Sequence, residues 1–254
     1  MSTIVITGGT RGLGFGLAQS LLERGHQVVV CGTDPERAEQ AGAELGGIMS
    51  RAADVADREQ LQALWEAATA RYGRVDVWIN NAGVSQTREP SWLLPADQAR
   101  RVVDVNLLGV LNGCAVAMAG MAGQGGGHVW NMDGLGGDGR VVPGLSVYGA
   151  TKRAVAYLTT ALAKEVPDGV GVGLLSPGMV VTDLLTYGYS DAERRRAAKM
   201  LSILADRVET VAPWLAERAI AQARNGARVR WLTPAKIAYR FATAPFSRRD
   251  IFTP

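Results

Sequence analysis

A glycine-rich turn between an apolar strand and a helix constrains the fold of this chain more than any other segment. Residues 3–7 are β-branched or apolar, and the next residues read Thr7-Gly-Gly-Thr-Arg-Gly-Leu-Gly14. A helical pattern follows from Leu13 to about Arg24, and a second apolar strand is predicted at residues 27–31. A strand, a glycine turn, a helix and a strand in this order form a unit that can hold a dinucleotide.

The glycines of this turn have a physical role in such a unit. Gly8, Gly12 and Gly14 would let the backbone turn tightly and approach a pyrophosphate, and the helix that opens there presents free N–H groups to the phosphates. The spacing is G-x-x-x-G-x-G, which differs from the commoner G-x-G-x-x-G. A tight loop without a ligand is the alternative interpretation.

Strand and helix patterns continue to alternate along the chain. Helices are predicted at 35–45, 57–72, 96–121, 147–165 and 208–224, and further strands at 48–53, 75–79, 128–132, 170–175 and 229–232. This order predicts an α/β fold, a doubly wound parallel sheet (Rossmann fold), in a single domain spanning residues 1–254. Thr7, Asn80, Asn131 and Ser176 end predicted strands, and ligands bind beyond these strand ends in such sheets.

Composition excludes several classes of protein. The 254 residues are 47% hydrophobic and 20% charged, and the net charge of +3 is too small to indicate nucleic acid as the main partner. Cys31 and Cys114 form no CxxC motif, so we expect a reducing, cytoplasmic location. Two histidines make a histidine-based metal site implausible, and we predict no metal. No signal peptide and no membrane span are predicted.

Tyr148 and Lys152 are separated by four residues in a predicted helix, so they lie on one helix face. A nearby ammonium stabilises phenolate and would lower the tyrosine pKa. Such a tyrosine can donate a proton to a carbonyl oxygen or accept one from an alcohol, while a cofactor supplies the hydride. A surface pair without a catalytic role is the alternative when the motif is considered alone.

Six motifs in order resemble the short-chain dehydrogenase/reductase family over roughly residues 3–183. They are residues 7–14, Asp54-Val55, Asn80-Asn81-Ala82-Gly83, Asn106 within Val-Asn-Leu-Leu-Gly, Tyr148-x-x-x-Lys152 and Pro177-Gly178-x-x-x-Thr182. The resemblance implies that Tyr148 is the acid/base, that Lys152 holds the nicotinamide ribose and lowers the tyrosine pKa, and that Asn106 keeps a water in a proton relay.

The same resemblance implies a set of cofactor-binding residues. The phosphates would be wrapped by Gly8, Arg11, Gly12, Leu13 and Gly14, and the adenine would meet Asp54 and Val55. The ribose side would be lined by Asn80, Ala82 and Gly83. The nicotinamide would be covered by Pro177, Gly178, Val180 and Thr182.

One departure from the family is the absence of its serine, which normally lies about 13 residues before the tyrosine and binds the substrate carbonyl. The serine position is Gly134 when aligned from Asn131 and Leu135 when counted back from Tyr148. Asp133 is the nearest polar side chain. It could donate to a carbonyl if protonated, or it could cap the loop through backbone N–H groups.

The unusual loop also narrows the resemblance to chlorophyll b reductases. The matching runs are residues 128–136, 147–153, 175–185 and 229–234. This resemblance implies an NADPH-dependent carbonyl reductase that converts the 7-formyl group of chlorophyll b or chlorophyllide b to a hydroxymethyl group. The alternatives are the same chemistry on another ketone or alcohol, and an NADP(H)-binding sensor without catalysis.

One residue of the glycine turn and two residues after the second strand bear on the choice between NADPH and NADH. Arg11 precedes the second glycine of the turn, where NADP enzymes of the family often carry a basic residue. Thr33 can offer a hydroxyl to a 2′-phosphate, and Asp34 lies too late to bind the ribose and is expected to cap the helix that begins at Pro35. We therefore expect NADPH rather than NADH.

The last third of the chain is predicted to cover the active site and to extend beyond the fold. Residues 184–205 are interpreted as a substrate lid, with Leu184 and Tyr187 among its substrate-facing side chains, or as a helix with an ordinary core-facing stripe.

Residues 235–254 form a C-terminal extension that mixes aromatic and basic residues up to Arg248-Arg249. A homo-oligomer contact (dimer or tetramer) is expected first; peripheral membrane contact and a loosely packed tail are the alternatives.

Overall fold

The computed structural model of the chain describes residues 1–246 and 249. Its strands are β1 (Thr3–Thr7), β2 (Gln27–Gly32), β3 (Met49–Ala52), β4 (Val77–Asn80), β5 (Gly127–Met132), β6 (Val170–Ser176), β7 (Met179–Val180), β8 (Ala205–Asp206) and β9 (Arg228–Arg230). Seven of them form one parallel sheet in the order β3-β2-β1-β4-β5-β6-β9, and β7 pairs with β8. The predicted single-domain, doubly wound parallel sheet is confirmed.

Helices cover both faces of this sheet. They are α1 (Gly12–Leu22), α2 (Pro35–Glu44), α3 (Arg58–Tyr72), α4 (Ala96–Val103), α5 (Gly109–Gly123), α6 (Ser146–Leu162), α7 (Asp183–Thr186), α8 (Asp191–Leu204), α9 (Val208–Ala221) and α10 (Pro234–Thr243). Neighbouring residues of a strand point to opposite faces, so Ile4 and Ile6 pack with α1 and α9 while Val5 packs with α3, α5 and α6. Both faces are therefore buried, as a parallel sheet requires.

The helical region predicted at residues 96–121 is confirmed as a continuous run, Ala96–Gly123, but it contains a π-helical turn that the sequence pattern did not predict. A π-helical turn at Asp104–Leu108 separates α4 from α5 and carries Asn106. The Asn106 side chain bonds the backbone of Val84 through both its oxygen and its nitrogen, at 2.8 and 2.9 Å. A widened turn is a common way to aim one side chain out of a regular helix, and it leaves no mark on the 3.6-residue pattern.

The run Ala96–Gly123 is, among the described residues, the one stretch with the length and hydropathy to cross a bilayer. Of its most apolar 18-residue window, 61% is buried inside the fold. Its apolar character is therefore that of a core helix packed on the sheet.

The C-terminal segment is anchored by a buried carboxylate. Asp206, which is 2% exposed, accepts hydrogen bonds from Trp231 at 2.6 Å and from Arg240 at 2.9 Å, and Arg249 also pairs with it. Burial would raise the pKa of Asp206, but these donors hold it below its usual range. Helix α10 is thus fixed against β8, in contrast to a loosely packed tail, whereas Arg248 and residues 250–254 lie outside the described residues.

Candidate active site

The carboxyl ends of β1 and β4 are joined by side chains, which brings the first two motifs together. Thr7 Oγ1 accepts hydrogen bonds from the N–H groups of Asn81 and Ala82, both at 3.1 Å. Asn81 Nδ2 donates to Thr7 O at 2.9 Å and to Gly8 O at 3.0 Å. The glycine turn and the Asn80–Gly83 segment therefore form one rigid wall at the edge where ligands bind in such sheets.

The glycine turn forms a cradle that suits a phosphate group. Gly8 and Gly12 have φ angles of 63° and 55°, and a Cβ at Gly8 would lie 2.8 Å from Ala82 Cα. Helix α1 begins at Gly12, and its N-cap residue Arg11 makes no side-chain capping bond, so the first N–H groups of α1 stay available to an anion. The residues present fit the pyrophosphate of a nicotinamide dinucleotide.

Four of the residues predicted to bind the cofactor have side chains directed elsewhere. Asn80 is 3% exposed and binds Trp78 and Asn131, and Val55 and Val180 are buried in the two cores. Asp54 pairs with Arg101 at 2.9 Å. Their side chains are used to build the walls of the site, which leaves mainly their backbone for contact with a cofactor.

Residues at the adenine end are more open. Thr33 is exposed directly after β2, and Asp34 accepts from Glu36 N and Arg37 N as the N-cap of α2. The predicted cap is confirmed, so Asp34 is held by its own helix. Ala82, Gly83, Leu13 and Thr182 are partly exposed around the cradle, and Thr182 lies over Gly12.

Tyr148 and Lys152 lie on the buried face of α6, with Lys152 Nζ 5.9 Å from the Tyr148 ring centre. Lys152 Nζ donates to Met132 O, at the end of β5, at 3.1 Å. Burial lowers the pKa of Lys152 to about 8, against the opposing effect of Asp133. Burial also raises the pKa of Tyr148, and the carboxylate of Asp133 adds to this rise.

The pKa direction of Tyr148 differs from the sequence expectation. Lys152 was expected to lower it, but burial of the phenol, with the carboxylate of Asp133, raises it in this structure. Tyr148 therefore holds its proton at neutral pH, which suits a group that donates a proton to a reduced carbonyl.

Asn106 joins this pair through α6. It is fully buried, and its Nδ2 lies 3.4 Å from Thr151 Oγ1, which in turn donates to Tyr148 O at 2.7 Å. The three predicted catalytic residues thus lie in one connected group.

Asp133 does not cap the loop in the way the sequence suggested as one of two possibilities. Its Oδ2 accepts a hydrogen bond from Ser176 Oγ at 2.7 Å, and its Oδ1 is buried with no hydrogen-bond partner among the described residues. Ser176 ends β6, so the bond fixes the carboxylate between two strand ends. The Asp133 carboxylate lies close enough to Tyr148 and Lys152 to raise the pKa of each.

Comparison with known proteins assigns the chain to a family. The family model for short chain dehydrogenases matches residues 2–193. The chain belongs to the short-chain dehydrogenase/reductase family. It is therefore an oxidoreductase that uses a nicotinamide dinucleotide and acts on CH–OH or carbonyl groups.

Individual relatives cover nearly the whole chain. Chlorophyll(ide) b reductase NOL, chloroplastic, of Oryza sativa subsp. japonica is 36% identical, with 97% of this chain and 76% of the relative covered. The protein of the same name from Arabidopsis thaliana is also 36% identical, with 96% and 73% covered. The structure of a 3-ketoacyl-(acyl-carrier-protein) reductase from Brucella melitensis complexed with NADH has a TM-score of 0.80 at 27% identity, over 90% of this chain and 96% of that chain.

The backbone at Gly134 lies so close to Tyr148 and Lys152 that a serine there would crowd both side chains. A Cβ at Gly134 would lie 2.5 Å from the Tyr148 hydroxyl and 3.1 Å from Lys152 Cε. Any side chain at this position would displace the tyrosine hydroxyl, since both neighbours belong to a buried, packed helix face. In this structure, the place of the serine is therefore occupied by Tyr148 itself.

We expect that restoring a serine, Gly134→Ser, impairs catalysis. The added Cβ would move the tyrosine hydroxyl by about 1 Å, a displacement that can lower kcat about 10²-fold. Steady-state kinetics should show this loss at unchanged dinucleotide affinity. Gly123→Ala is the matched control, because Gly123 ends α5 and a Cβ there meets no atom within 4 Å. A higher kcat in Gly134→Ser would show that the serine is missing rather than excluded.

Two contacts hold the residues around the start of the predicted lid. Arg11 of the glycine turn pairs with Asp183 at 3.4 Å, and the Arg88 guanidinium stacks 3.8 Å from the ring centre of Tyr189. Leu184 and Tyr187 lie between these two contacts and are 39% and 48% exposed. Residues 183–189 are therefore tied to the phosphate cradle through Asp183 and to the loop after β4 through Tyr189.

Sequence reasoning missed the residues that hold these parts together. Gln86 is fully buried and bonds the backbone of Tyr148, Arg88 stacks on the lid, and Ser176 holds Asp133. Ser176 carried a signal, since it ends a predicted strand. Gln86 and Arg88 lie in an irregular loop, and no periodic pattern or motif marked them.

Proposed function

We propose that this protein is an NADPH-dependent carbonyl reductase that reduces the 7-formyl group of a chlorophyll b-type tetrapyrrole to a hydroxymethyl group. The observation that carries this proposal is the 36% identity to a chlorophyll(ide) b reductase over 97% of the chain. The similarity includes the predicted lid, which lies beyond residue 182 and would contact the substrate. Similarity to the dinucleotide-binding residues alone would support only the family assignment.

The chain's own residues supply binding, orientation and a proton. The α1 N-terminus and the glycine turn would hold the cofactor phosphates, and Lys152 would hold the ribose next to the nicotinamide. The bound cofactor supplies a hydride to the carbonyl carbon. Tyr148, whose pKa burial raises further above neutral pH, donates its phenolic proton to the carbonyl oxygen.

The absence of a side chain at Gly134, together with apolar surface on the predicted lid, supports a bulky substrate. Because no serine side chain lies next to Tyr148, its hydroxyl is the polar group that would face the substrate carbonyl. The partly exposed Leu184 and Tyr187 would offer apolar surface to the rest of the substrate. A flat macrocycle carrying an aldehyde at its edge could reach Tyr148 with its ring against these side chains.

NADPH is favoured over NADH by the basic residue of the turn. Arg11 is largely exposed, and its ion pair with the exposed Asp183 is weak enough for a phosphate to replace it. Thr33 adds a hydroxyl at the end of β2. These two residues form the polar surroundings expected for a 2′-phosphate.

The test is dinucleotide oxidation by the purified protein with chlorophyllide b, with products separated by chromatography. We expect a 7-hydroxymethyl product and a higher kcat/KM with NADPH than with NADH. Turnover of small ketones or of a 3-ketoacyl thioester, without a tetrapyrrole product, would favour the alternative suggested by the 3-ketoacyl reductase structure. Tight NADPH binding without turnover of any carbonyl would favour an NADP(H) sensor.

A further inference from the structure

The helix that carries both reacting side chains begins without a cap of its own. Helix α6 starts at Ser146, and its N-cap residue Leu145 has no side-chain oxygen to accept from the first turn. Tyr148 is the third residue of α6, so its backbone N–H is one of the groups that the helix itself leaves without a partner. The position of this first turn sets the position of the tyrosine hydroxyl.

Gln86 supplies the missing acceptor from a distant part of the chain. Its side chain is fully buried, its Oε1 accepts the hydrogen bond from Tyr148 N at 2.8 Å, and its Nε2 donates to Gly144 O at 3.2 Å. One amide group therefore joins the loop before α6 to the residue inside α6 that performs the proton transfer. Both amide atoms are satisfied, which fixes the rotation of the group.

The segment that carries Gln86 is itself held firmly. We refer to residues 84–88 as the strap. Val84 is bonded at its N–H and its carbonyl by Asn106, and Thr87 is bonded at its N–H and hydroxyl by Gln98 Oε1, at 2.9 and 2.8 Å. The strap thus connects the π-helical turn of Asn106 to the start of α6.

We propose that Gln86 is a positioning residue for Tyr148, setting the first turn of α6 so that the tyrosine hydroxyl lies where a substrate carbonyl oxygen arrives. Proton donation depends steeply on the distance between the tyrosine hydroxyl and the carbonyl oxygen, so a small shift of this turn should lower kcat. This inference rests on the acid role of Tyr148 and on no particular carbonyl substrate.

A purely structural role for Gln86 makes a different prediction. If its two hydrogen bonds only stabilise the fold, their removal lowers the melting temperature but leaves kcat per folded molecule unchanged. If they position Tyr148, kcat falls while dinucleotide binding at the distant α1 cradle is retained.

The experiment compares Gln86→Met with Gln98→Met. Methionine is close to glutamine in length and removes both hydrogen bonds of Gln86. We expect kcat to fall about 10²-fold at unchanged dinucleotide Kd, for any carbonyl that the wild type reduces. Gln98→Met also removes two hydrogen bonds to the strap, but Gln86 keeps both of its own bonds and Asn106 still holds Val84, so this variant should keep the wild-type kcat.

A conservative variant provides the rescue. Gln86→Glu keeps an acceptor for Tyr148 N, and a carboxylate near a helix N-terminus is favourable. Most of the kcat lost in Gln86→Met should return. Wild-type kcat in Gln86→Met, with or without a lower melting temperature, would overturn the proposal, as would a kcat in Gln86→Glu as low as that of Gln86→Met.

Amide hydrogen exchange tests the same geometry without turnover. The Tyr148 amide should lose protection in Gln86→Met and keep it in Gln98→Met; retained protection in Gln86→Met would overturn the proposal even if no carbonyl substrate were found. If Gln86→Met does not fold, Gln86→Asn serves in its place, because the shorter side chain cannot reach both partners and leaves a smaller gap.

Discussion

Replacing Tyr148 by phenylalanine is expected to abolish carbonyl reduction while leaving the fold and dinucleotide binding in place. The change removes one oxygen from a buried ring that is 8% exposed and keeps the packing of that ring against Val102 and Leu145. It also removes the proton that the reduced carbonyl oxygen must receive. Loss of a general acid lowers kcat by about 10²–10⁴-fold. Steady-state rates and a fluorescence titration with the reduced dinucleotide would measure kcat and the dinucleotide Kd on the same sample.

Tyr157→Phe is the matched control for this change. Tyr157 lies on the same helix but is 77% exposed, so its hydroxyl faces solvent and takes no part in the site. Both variants should melt close to the wild type, and only Tyr148→Phe should lose turnover. Equal rates for Tyr148→Phe and the wild type would remove Tyr148 from the mechanism and would also remove the basis for a positioning role of Gln86.

The pH dependence of the wild type follows from the raised pKa of Tyr148. A phenol with a raised pKa is protonated throughout the neutral range, so reduction should not fall between pH 6 and 8 for want of the proton. The reverse reaction needs the phenolate and should accelerate as pH rises. If reduction instead fell steadily from pH 6, well below the Lys152 pKa of about 8, Tyr148 would have a lowered pKa, as the sequence alone suggested.

The fold was predictable because it depends on patterns that are local in sequence. Short apolar strands, the glycine turn and helix caps such as Asp34 and Asp57 each carry a signal over a few residues, and both caps are present in the structure. The π-helical turn at Asn106 was not predictable, since an extra residue in one turn hardly alters the apolar periodicity. The residue that it carries bonds Val84, 22 residues away in sequence, which no local pattern marks.

The active-site pair was predictable from spacing, but its electrostatics were not. The four-residue spacing of Tyr148 and Lys152 places them on one face, whereas their pKa values depend on burial, which is a property of the assembled fold. The same limit applies to the absent serine. Sequence showed only that Gly134 departs from the family, while the structure shows that the Tyr148 hydroxyl takes up the space.

Lys152→Met is expected to stabilise the protein at neutral pH while it abolishes efficient turnover. The Lys152 side chain is 4% exposed, and burial lowers its pKa from 10.5 to about 8. Folding at pH 7 must therefore bury a charge, at a free-energy cost of about 3 kcal/mol for the shift, reduced by the hydrogen bond to Met132 O. Loss of the charged contact to the cofactor ribose that we propose for Lys152 should lower kcat/KM about 10²-fold.

The stability gain should depend on pH with a defined sign. The folded state binds the Lys152 proton more weakly than the unfolded state, so the penalty is fully present below pH 8 and is relieved as pH rises from 8 towards 10.5. Between pH 7 and pH 9 the advantage of Lys152→Met in urea unfolding should shrink by about 1 kcal/mol. Other groups titrate in both proteins, and their effects cancel in this difference.

Lys164→Met distinguishes burial of the charge from a general effect of methionine. Lys164 follows α6 and is exposed, so its replacement should leave the free energy of unfolding unchanged at both pH values. If the free energy of unfolding rises only in Lys152→Met, and the rise disappears at high pH, then burial of the charged Lys152 destabilises the fold. A stability loss in Lys152→Met at pH 7 would instead mean that Asp133 and Met132 O more than offset the burial of the ammonium, so that the lysine stabilises the fold it serves.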